Sequence, residues 1–288
     1  LKEELTDRLP FARRKFEFLG WSWRFRRMRT EGKELPDSRL QTNRITIRWK
    51  TLHPRNISVI YLYAATFALF SIWVPETWLS TLTHKTILNQ EAVRIVVSLG
   101  LIAPLAAGVF DLSIGGVISL SSMLVSWLII NGGMSIWAAC LITLGTGALI
   151  GALNAFLILK IKIDSFITTL GMSSILYALA SAISNGKMIF GFDQGFKNIA
   201  RFNLVGIEAN IFYALLFGII MWWFLENTSG GRYLFATGGN REAARLAGVS
   251  TNFYITSALI LSATVAALGG ILITSKISSG SPTVGPPF

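Results

Sequence analysis

The chain has 288 residues, of which 52% are hydrophobic and only 14% are charged, and its formal net charge is +11. A soluble domain carries about a quarter charged residues, so this composition excludes an ordinary soluble enzyme and indicates a polytopic membrane protein. The single cysteine, Cys140, excludes a disulfide framework. The positive charge is explained without nucleic acid, because basic residues that flank apolar spans are a membrane topology signal.

Residues 1–56 form a basic tail in which arginines such as Arg24 and Arg26 alternate with aromatic residues such as Trp23 and Phe25. Basic and aromatic residues together can bind single-stranded nucleic acid, but next to a membrane span they favour contact with anionic lipids. We expect this tail on the cytoplasmic membrane surface. No cleavable signal peptide is visible, because the first apolar run comes late and no short apolar region precedes it.

Seven apolar segments follow the tail, each close to the roughly 20 residues that span a bilayer. They lie at 57–74, 91–110, 114–130, 135–159, 165–184, 209–225 and 253–275. We predict an all-α, polytopic membrane domain over 57–288 with about seven or more transmembrane helices. If the tail is cytoplasmic, alternation places the arginine-containing loop 226–252 in the cytoplasm and the connection 185–208 outside.

Asp111 is an ionisable residue near or within the membrane, between the second and third apolar segments. A carboxylate at this depth is costly and usually functional, so it predicts a role in a translocation path. The alternative is that Asp111 or Ser113 caps the third helix near the interface. Both interpretations stay open on the sequence.

The next two segments carry further polar residues inside apolar helices. Gly147 and Gly151 form a face of small residues suited to close helix packing, and Asn154 can bond across helices beside it. Thr168 and Thr169 open the following segment, and such hydroxyls either bond their own helix or line a polar solute path. Packing and solute contact are both open for this group.

The connection 185–208 is the longest one predicted outside. Its glycines and phenylalanines indicate a compact loop that is partly seated in the membrane. It is a candidate surface for an external partner, and a simple exposed loop is the alternative.

Loop 226–252 contains a predicted short helix that is capped at both ends. Gly238 and Gly239 break the chain, Asn240 is a good N-cap, and Gly248 can close the helix in a left-handed conformation. Such a helix in a cytoplasmic loop predicts a docking element, and an ordinary lipid-facing loop is the alternative. The proposed contact residues are the following: Gly239, Asn240, Glu242, Ala243, Ala244, Arg245, Leu246 and Gly248.

The motifs of several enzyme classes are absent from the sequence. No G-x-x-x-x-G-K-[ST] phosphate loop, H-E-x-x-H motif, Cys/His cluster or G-x-S-x-G motif occurs, and His53 and His84 are isolated. We therefore expect neither an active site nor a metal or cofactor site in this chain.

Three stretches resemble one transporter family. The run GRYLFATGGNREAARLAGVS resembles the coupling segment of permease subunits of ribose/xylose-type sugar ABC importers, in the superfamily that includes branched-chain amino acid permeases. The stretch GVFDLSIGG is similar to the G-x-x-D-L-S-x-G signature of these permeases, and SFITTLG is similar to a run in the same place. The resemblance covers roughly residues 90–285.

The resemblance implies a permease subunit that carries a monosaccharide, such as a pentose, across the bacterial inner membrane. It implies two permease copies, identical or different, two ABC ATP-binding subunits that bind the ATP, and an external sugar-binding protein. Family members continue with further spans, so we expect the permease domain 57–288 to be truncated at its C-terminus.

Other functions are left as alternatives. The same fold could import nucleosides or branched-chain amino acids, or the chain could be an ion-driven secondary transporter. A secondary transporter of this kind would need paired carboxylates within the spans, and Asp111 is the only carboxylate that we assign to them. A membrane anchor for the basic tail would not need so many spans with polar interior residues.

Overall fold

The computed structural model describes residues 58–204 and 207–288, without the side chain of Leu204, and the predicted N-terminal tail lies outside them. All seven predicted apolar segments are helical in this part of the chain. Its helices are α1 (Ser58–Trp73), α2 (Pro75–Trp78), α3 (Thr81–Ala106), α4 (Ile114–Ile130), α5 (Ile136–Phe156), α6 (Ser165–Ser184), α7 (Gln194–Arg201), α8 (Ala209–Asn227), α9 (Ser229–Gly239), α10 (Arg241–Leu246) and α11 (Thr251–Ile277). A π-helical turn, Leu157–Ile161, extends α5, and a short hairpin pairs β1 (Asn203–Leu204) with β2 (Ile207–Glu208).

Five of these helices are long and apolar enough to cross a membrane: α3, α5 with its π-helical turn, α6, α8 and α11. Helices α1 and α4 are apolar but shorter, with 16 and 17 residues. The prediction of an all-α, polytopic membrane protein is confirmed.

Helix α3 begins ten residues before the predicted position 91, because Ser80 caps it by accepting a hydrogen bond from the Leu82 N–H (3.2 Å). Polar residues that the sequence analysis assigned to a connection therefore belong to the helix. Glu91, the first residue of the predicted segment, lies well inside α3 as a result. Counting Asp111 as the only carboxylate within the spans was wrong.

Helix α11 occupies the centre of the bundle, and 67% of its most apolar 18-residue stretch is buried. It packs on α3, α4 and α5. Gly147 and Gly151 allow the contact with α5, since a Cβ at Gly147 would lie 2.6 Å from the Ala267 Cβ, and one at Gly151 would lie 2.6 Å from the Ile260 Cα. The predicted packing role of these two glycines is confirmed.

The loops of the bundle gather at two opposite ends. One, which we call the α10 end, contains residues 107–113, the turn 162–164, and α9 and α10. Its loops touch directly, because Gly238 of α9 lies against Gly108.

The opposite α7 end contains residues 131–135 and 185–208 and the chain that follows α11. Here the Ile189 N–H donates to the Gly280 carbonyl (3.0 Å), and the Gly280 N–H donates to the Ile189 carbonyl (2.8 Å). The structure thus groups the loops predicted on one side of the membrane and separates them from the others.

The connection 185–208 is built rather than irregular. Asp193 caps α7 by accepting from the Gly195 N–H (3.2 Å), and the hairpin follows. Helix α7 is fixed to α11, because the Ser275 hydroxyl donates to the Phe196 carbonyl (2.7 Å) and accepts from the Ala200 N–H (3.0 Å). The predicted compact loop is confirmed, and its contact with an external partner stays a prediction.

One predicted break is wrong. Gly238 and Gly239 do not interrupt the chain but form the last turn of α9, an eleven-residue helix that was not predicted. Thr228 starts it by accepting from the Gly231 N–H (3.2 Å). Glycine is kept at position 238 by close contact, because a Cβ there would lie 2.9 Å from the Gly108 nitrogen.

Candidate functional site

Helix α10 is a single, sharply bounded element between α9 and α11. The Asn240 Oδ1 accepts from the Ala243 N–H (2.9 Å), as the sequence predicted. At the other end Gly248 has φ +85°, its N–H donates to the Arg245 carbonyl, and the Val249 N–H donates to the Ala244 carbonyl, both at 3.0 Å. This pair of bonds is a Schellman motif, so both ends of α10 are fixed by specific hydrogen bonds.

The side chains of α10 divide into one that faces the bundle and several that face outward. Ala244 is only 6% exposed, whereas Leu246 is 84% exposed. Glu242 and Arg245 form an exposed ion pair at 3.0 Å. The prediction that Ala244 contacts a partner is wrong, because this position rests on the bundle itself. Ala243, another proposed contact residue, is exposed.

An open cleft of about 840 Å³ lies beside α10, between it, the 162–164 turn and the start of α11. Arg241 crosses one side of this cleft and donates to the Asn252 Oδ1 (2.8 Å). Lys162 and Asp164 line the other side. Charged groups therefore surround the exposed helix at this end.

Asp111, in the loop before α4, is 3% exposed and belongs to a buried polar network. Its Oδ1 accepts from the Ser113 N–H (3.0 Å) and the Ser113 hydroxyl (2.6 Å). The Ser113 hydroxyl oxygen in turn accepts from the Asn154 Nδ2 of α5 (2.9 Å). Ser113 occupies the N-cap position of α4 but makes no capping bond with its side chain, which is engaged by Asp111 and Asn154.

Of the two threonines of α6, Thr169 is bonded to the same loop. The Thr169 hydroxyl accepts from the Leu112 N–H (3.0 Å) and donates to the Ser165 carbonyl (2.8 Å). Thr168 is buried, and its hydroxyl has no hydrogen-bond partner within the described chain. The structure thus brings four of the five predicted path residues to one loop at the α10 end, and their contact with a solute stays a prediction.

Two acceptor oxygens of this network are unpaired: the Asp111 Oδ2 and the Asn154 Oδ1 are buried and lack a hydrogen-bond partner among the described residues. A buried acceptor without a donor costs about 1–3 kcal/mol. Both atoms can accept from a hydroxyl group, so the network can bind a ligand that carries hydroxyl donors.

The sequence analysis missed the link between this network and α10. Gly238 packs against the Ala106 carbonyl and the Gly108 nitrogen, immediately before the Asp111 loop. Because α9 ends at Gly239 and α10 begins at Arg241, only Asn240 separates this glycine pair from α10. The paired glycines are the signal in the sequence that could have revealed this contact, because their lack of side chains permits the close approach.

Comparison with known proteins places these regions within one family match. Residues 84–288 match the family described as branched-chain amino acid transport system / permease component. The chain is 32% identical to the L-arabinose transport system permease protein AraH of Escherichia coli over 230 residues, which covers 78% of this chain and 68% of that protein. It is 29% identical to the D-allose transport system permease protein AlsC of the same organism over 229 residues, covering 79% and 70%.

A third relative is the galactose/methyl galactoside import permease protein MglC of Escherichia coli, 31% identical over 244 residues, with 78% of this chain and 73% of that protein covered. No solved structure matches the chain. The matched range contains the Asp111 network, α9 and α10.

Proposed function

Because this chain belongs to the branched-chain amino acid transport system / permease component family, we propose that it is the membrane-spanning subunit of an ATP-driven importer that carries a monosaccharide. The relatives named above are permeases for L-arabinose, D-allose and galactose, which supports a sugar as the solute. These sugars include a pentose and hexoses, so they do not favour one of the two classes. That this chain carries a pentose stays a prediction, which the transport assay below tests.

The observation that carries this proposal is the arrangement of α10. It is a six-residue helix with fixed ends, an exposed leucine at position 246 and an exposed ion pair between Glu242 and Arg245. An apolar side chain that projects from a charged surface is suited to insertion into a groove of a partner. The partner in an ATP-driven importer is the ATP-binding subunit.

The path of coupling follows from the contacts of α9. Docking of the ATP-binding subunit displaces α10, and the displacement reaches the Gly108 loop through Gly238. The same loop carries Asp111, which connects it to α5 through Ser113 and Asn154. Closure of the two ATP-binding subunits is thereby converted into a rigid-body rearrangement of the helices around this loop.

The remaining parts of the importer follow from this role. Two copies of this permease, or one copy and a related chain, associate with two ATP-binding subunits that hold and hydrolyse the ATP. The α10 end faces the cytoplasm of a bacterial cell, and the α7 end receives the sugar from a solute-binding protein outside the inner membrane. The apolar outer faces of the helices contact lipid.

Uptake of radiolabelled sugars tests the proposal directly. Proteoliposomes that contain this chain with its ATP-binding subunits and solute-binding protein are supplied with D-allose, L-arabinose, D-galactose, D-ribose and D-fructose. We expect ATP-dependent accumulation of at least one of these sugars. Empty liposomes and the same importer without ATP are the controls, and accumulation of none of the five would contradict the proposed function.

A further inference from the structure

The chain that follows α11 re-enters the bundle instead of leaving it. Residues 279–282 and Gly285 are buried, although this segment forms no helix. We call residues 279–288 the re-entrant segment. It starts at the α7 end, where Gly280 pairs with Ile189 and packs against Ser126 of α4.

Serines of α4 hold the re-entrant segment in place. The Ser122 hydroxyl oxygen accepts from the Ser281 N–H (3.2 Å), and the Ser119 hydroxyl oxygen accepts from the Gly285 N–H (3.0 Å). Gly285 reaches Gly115, near the first turn of α4. At 1.5 Å per residue, the path along α4 from Ser126 to Gly115 is about 16 Å, or roughly half of a 30 Å hydrocarbon core.

The hydrocarbon core of a membrane offers no hydrogen-bond partners to irregular backbone. Such backbone occurs only where protein buries it or where it lines a water-filled cavity. In the re-entrant segment, two of the backbone N–H groups bond to serine hydroxyls, which can equally accept from the hydroxyl of a solute. The groove along α4 therefore has the chemistry of a polar path with a protein segment lying in it.

A charged pair on α3 lies beside the end of the re-entrant segment and close to Lys276, near the C-terminus of α11. Glu91 and Arg94 form an ion pair at 2.7 Å near the middle of this 26-residue helix. Their side chains are 42% and 48% exposed, and the Arg94 guanidinium lies 5.8 Å from the ring centre of Phe288, the last residue of the re-entrant segment. Charged residues inside a membrane span almost always face the bundle interior or a water-filled cavity.

We infer that Glu91 and Arg94 of α3, together with Ser119 and Ser122 of α4, form a subsite for the solute inside the bundle, and the re-entrant segment occupies it in this structure. This inference rests on the proposed function, because a sugar supplies the hydroxyl groups that match these side chains. A carboxylate accepts from sugar hydroxyls, a guanidinium donates to them, and serine hydroxyls do both. The subsite is separate from the Asp111 network, and solute enters it when the re-entrant segment leaves the groove.

The kinetics of sugar uptake test the inference, with the sugar that the unaltered importer accumulates in the proteoliposome assay. We expect Glu91→Gln and Arg94→Gln to raise KM roughly 10- to 100-fold while kcat changes less, because charged hydrogen bonds to the solute are lost. Arg94→Lys keeps the charge and is expected to fall between the unaltered chain and Arg94→Gln. Ser174→Ala on α6 is the matched control, because this exposed hydroxyl bonds only its own helix, at the Leu170 carbonyl.

The outcomes of this experiment are distinguishable from failure of the proposed function. If the unaltered importer accumulates no sugar, the proposed function fails. If it accumulates sugar and both charge variants show the KM of the Ser174→Ala control, the proposed subsite is wrong.

A labelling experiment covers the case in which the charge variants do not fold. Ser119→Cys is introduced together with Cys140→Ala, so that position 119 carries the only thiol of the chain. We expect a water-soluble methanethiosulfonate reagent to label it during ATP-driven turnover, and saturating sugar to slow the labelling about tenfold. Absence of labelling during turnover, or equal rates with and without sugar, would overturn the assignment.

Discussion

The two ends of the bundle hold their loops in different ways. At the α7 end, helix α7 is bonded to α11 through Ser275, and the backbone of Ile189 pairs with that of Gly280. At the α10 end, the contact between α9 and the Asp111 loop is van der Waals contact between Gly238 and Gly108. Side chains make the other hydrogen bonds of that loop. Two of these side chains, Asp111 and Asn154, each have an unpaired acceptor oxygen.

This difference matters because the two kinds of contact respond differently to displacement. Paired backbone groups must break hydrogen bonds to move, and each bond left unmade in a buried place costs about 1–3 kcal/mol. A glycine contact can slide or rotate without breaking any bond. The α10 end is therefore suited to transmit motion, and the α7 end is suited to hold α7, α11 and the start of the re-entrant segment together.

The largest effect is expected at the glycine contact. In Gly238→Ala the added Cβ would lie 2.9 Å from the Gly108 nitrogen and still closer to the Ala106 carbonyl oxygen. Backbone cannot yield easily there, so we expect a loss of about 1–3 kcal/mol in the free energy of unfolding and a nearly complete loss of sugar uptake. Thermal unfolding of the purified chain and the proteoliposome assay measure both.

Gly239→Ala is the matched control for this change. A Cβ at Gly239 meets no atom within 4 Å, and alanine favours a helix over glycine by up to about 1 kcal/mol. We expect unchanged or slightly higher stability and unchanged uptake. Equal behaviour of the two variants would show that the Gly238 contact does not carry the coupling.

The second prediction separates the charge of Asp111 from its local hydrogen bonds. Asp111→Asn keeps an oxygen that can accept from the Ser113 N–H and hydroxyl, so we expect the unfolding temperature to stay within a few degrees. If the charge of Asp111 interacts with the solute, as we predict, uptake should fall about tenfold. In contrast, Asp111→Ala removes both functions and is expected to lower stability as well. Normal uptake by Asp111→Asn would leave only the local structural role.

Part of this architecture could be predicted from the sequence, because it depends on local chemistry. The apolar segments became helices, Asn240 and Gly248 bound α10, and Gly147 and Gly151 pack closely. The rest could not be predicted, because it depends either on contacts between distant residues or on a cap that no apolar pattern marks. The hydrogen bond between Asn154 and Ser113 joins positions 41 residues apart, and the start of α3 depends on a cap in a polar stretch without an apolar pattern.

Two predictions near α10 were wrong because tertiary packing decides them. A pair of glycines usually interrupts a helix, but Gly238 and Gly239 extend α9 because its packing against Gly108 outweighs their low helix propensity. In a helix of six residues, the sequence pattern does not reveal which face meets the bundle. For that reason Ala244 was expected on the surface and is buried.

The third prediction concerns docking of the ATP-binding subunit. Ala244→Trp would disturb the packing of the chain itself, so Leu246 is the better position for this test. Because Leu246 is 84% exposed, Leu246→Ser is expected to change the stability of the isolated chain by no more than about 0.5 kcal/mol. Buried in a partner's groove, a leucine contributes about 1.5–3 kcal/mol, so co-purification with the ATP-binding subunit should weaken at least tenfold.

Leu246→Met keeps an apolar side chain of similar size and is the control for the docking test. It is expected to co-purify normally. If Leu246→Ser also retains the ATP-binding subunit and its solute-stimulated ATP hydrolysis, α10 is not the docking element. Gly248→Val is expected to weaken docking in another way, since φ +85° disfavours a β-branched residue and the end of α10 would shift.

The last prediction concerns orientation: the two ends of the bundle lie on opposite sides of the membrane. The substitutions that test it are expected to leave activity unchanged. Ser229→Cys at the α10 end and Lys187→Cys at the α7 end are both exposed, and each is combined with Cys140→Ala to leave one thiol in the chain. A membrane-impermeant maleimide added to intact cells should label position 187 and not position 229. After the cells are opened, both positions should react.

The reason for this expectation is that Arg232, Arg241 and Arg245 cluster at the α10 end, as expected for the cytoplasmic side. Labelling of position 229 in intact cells would reverse the orientation, and with it the assignment of α10 to an ATP-binding partner, because ATP is found only inside the cell.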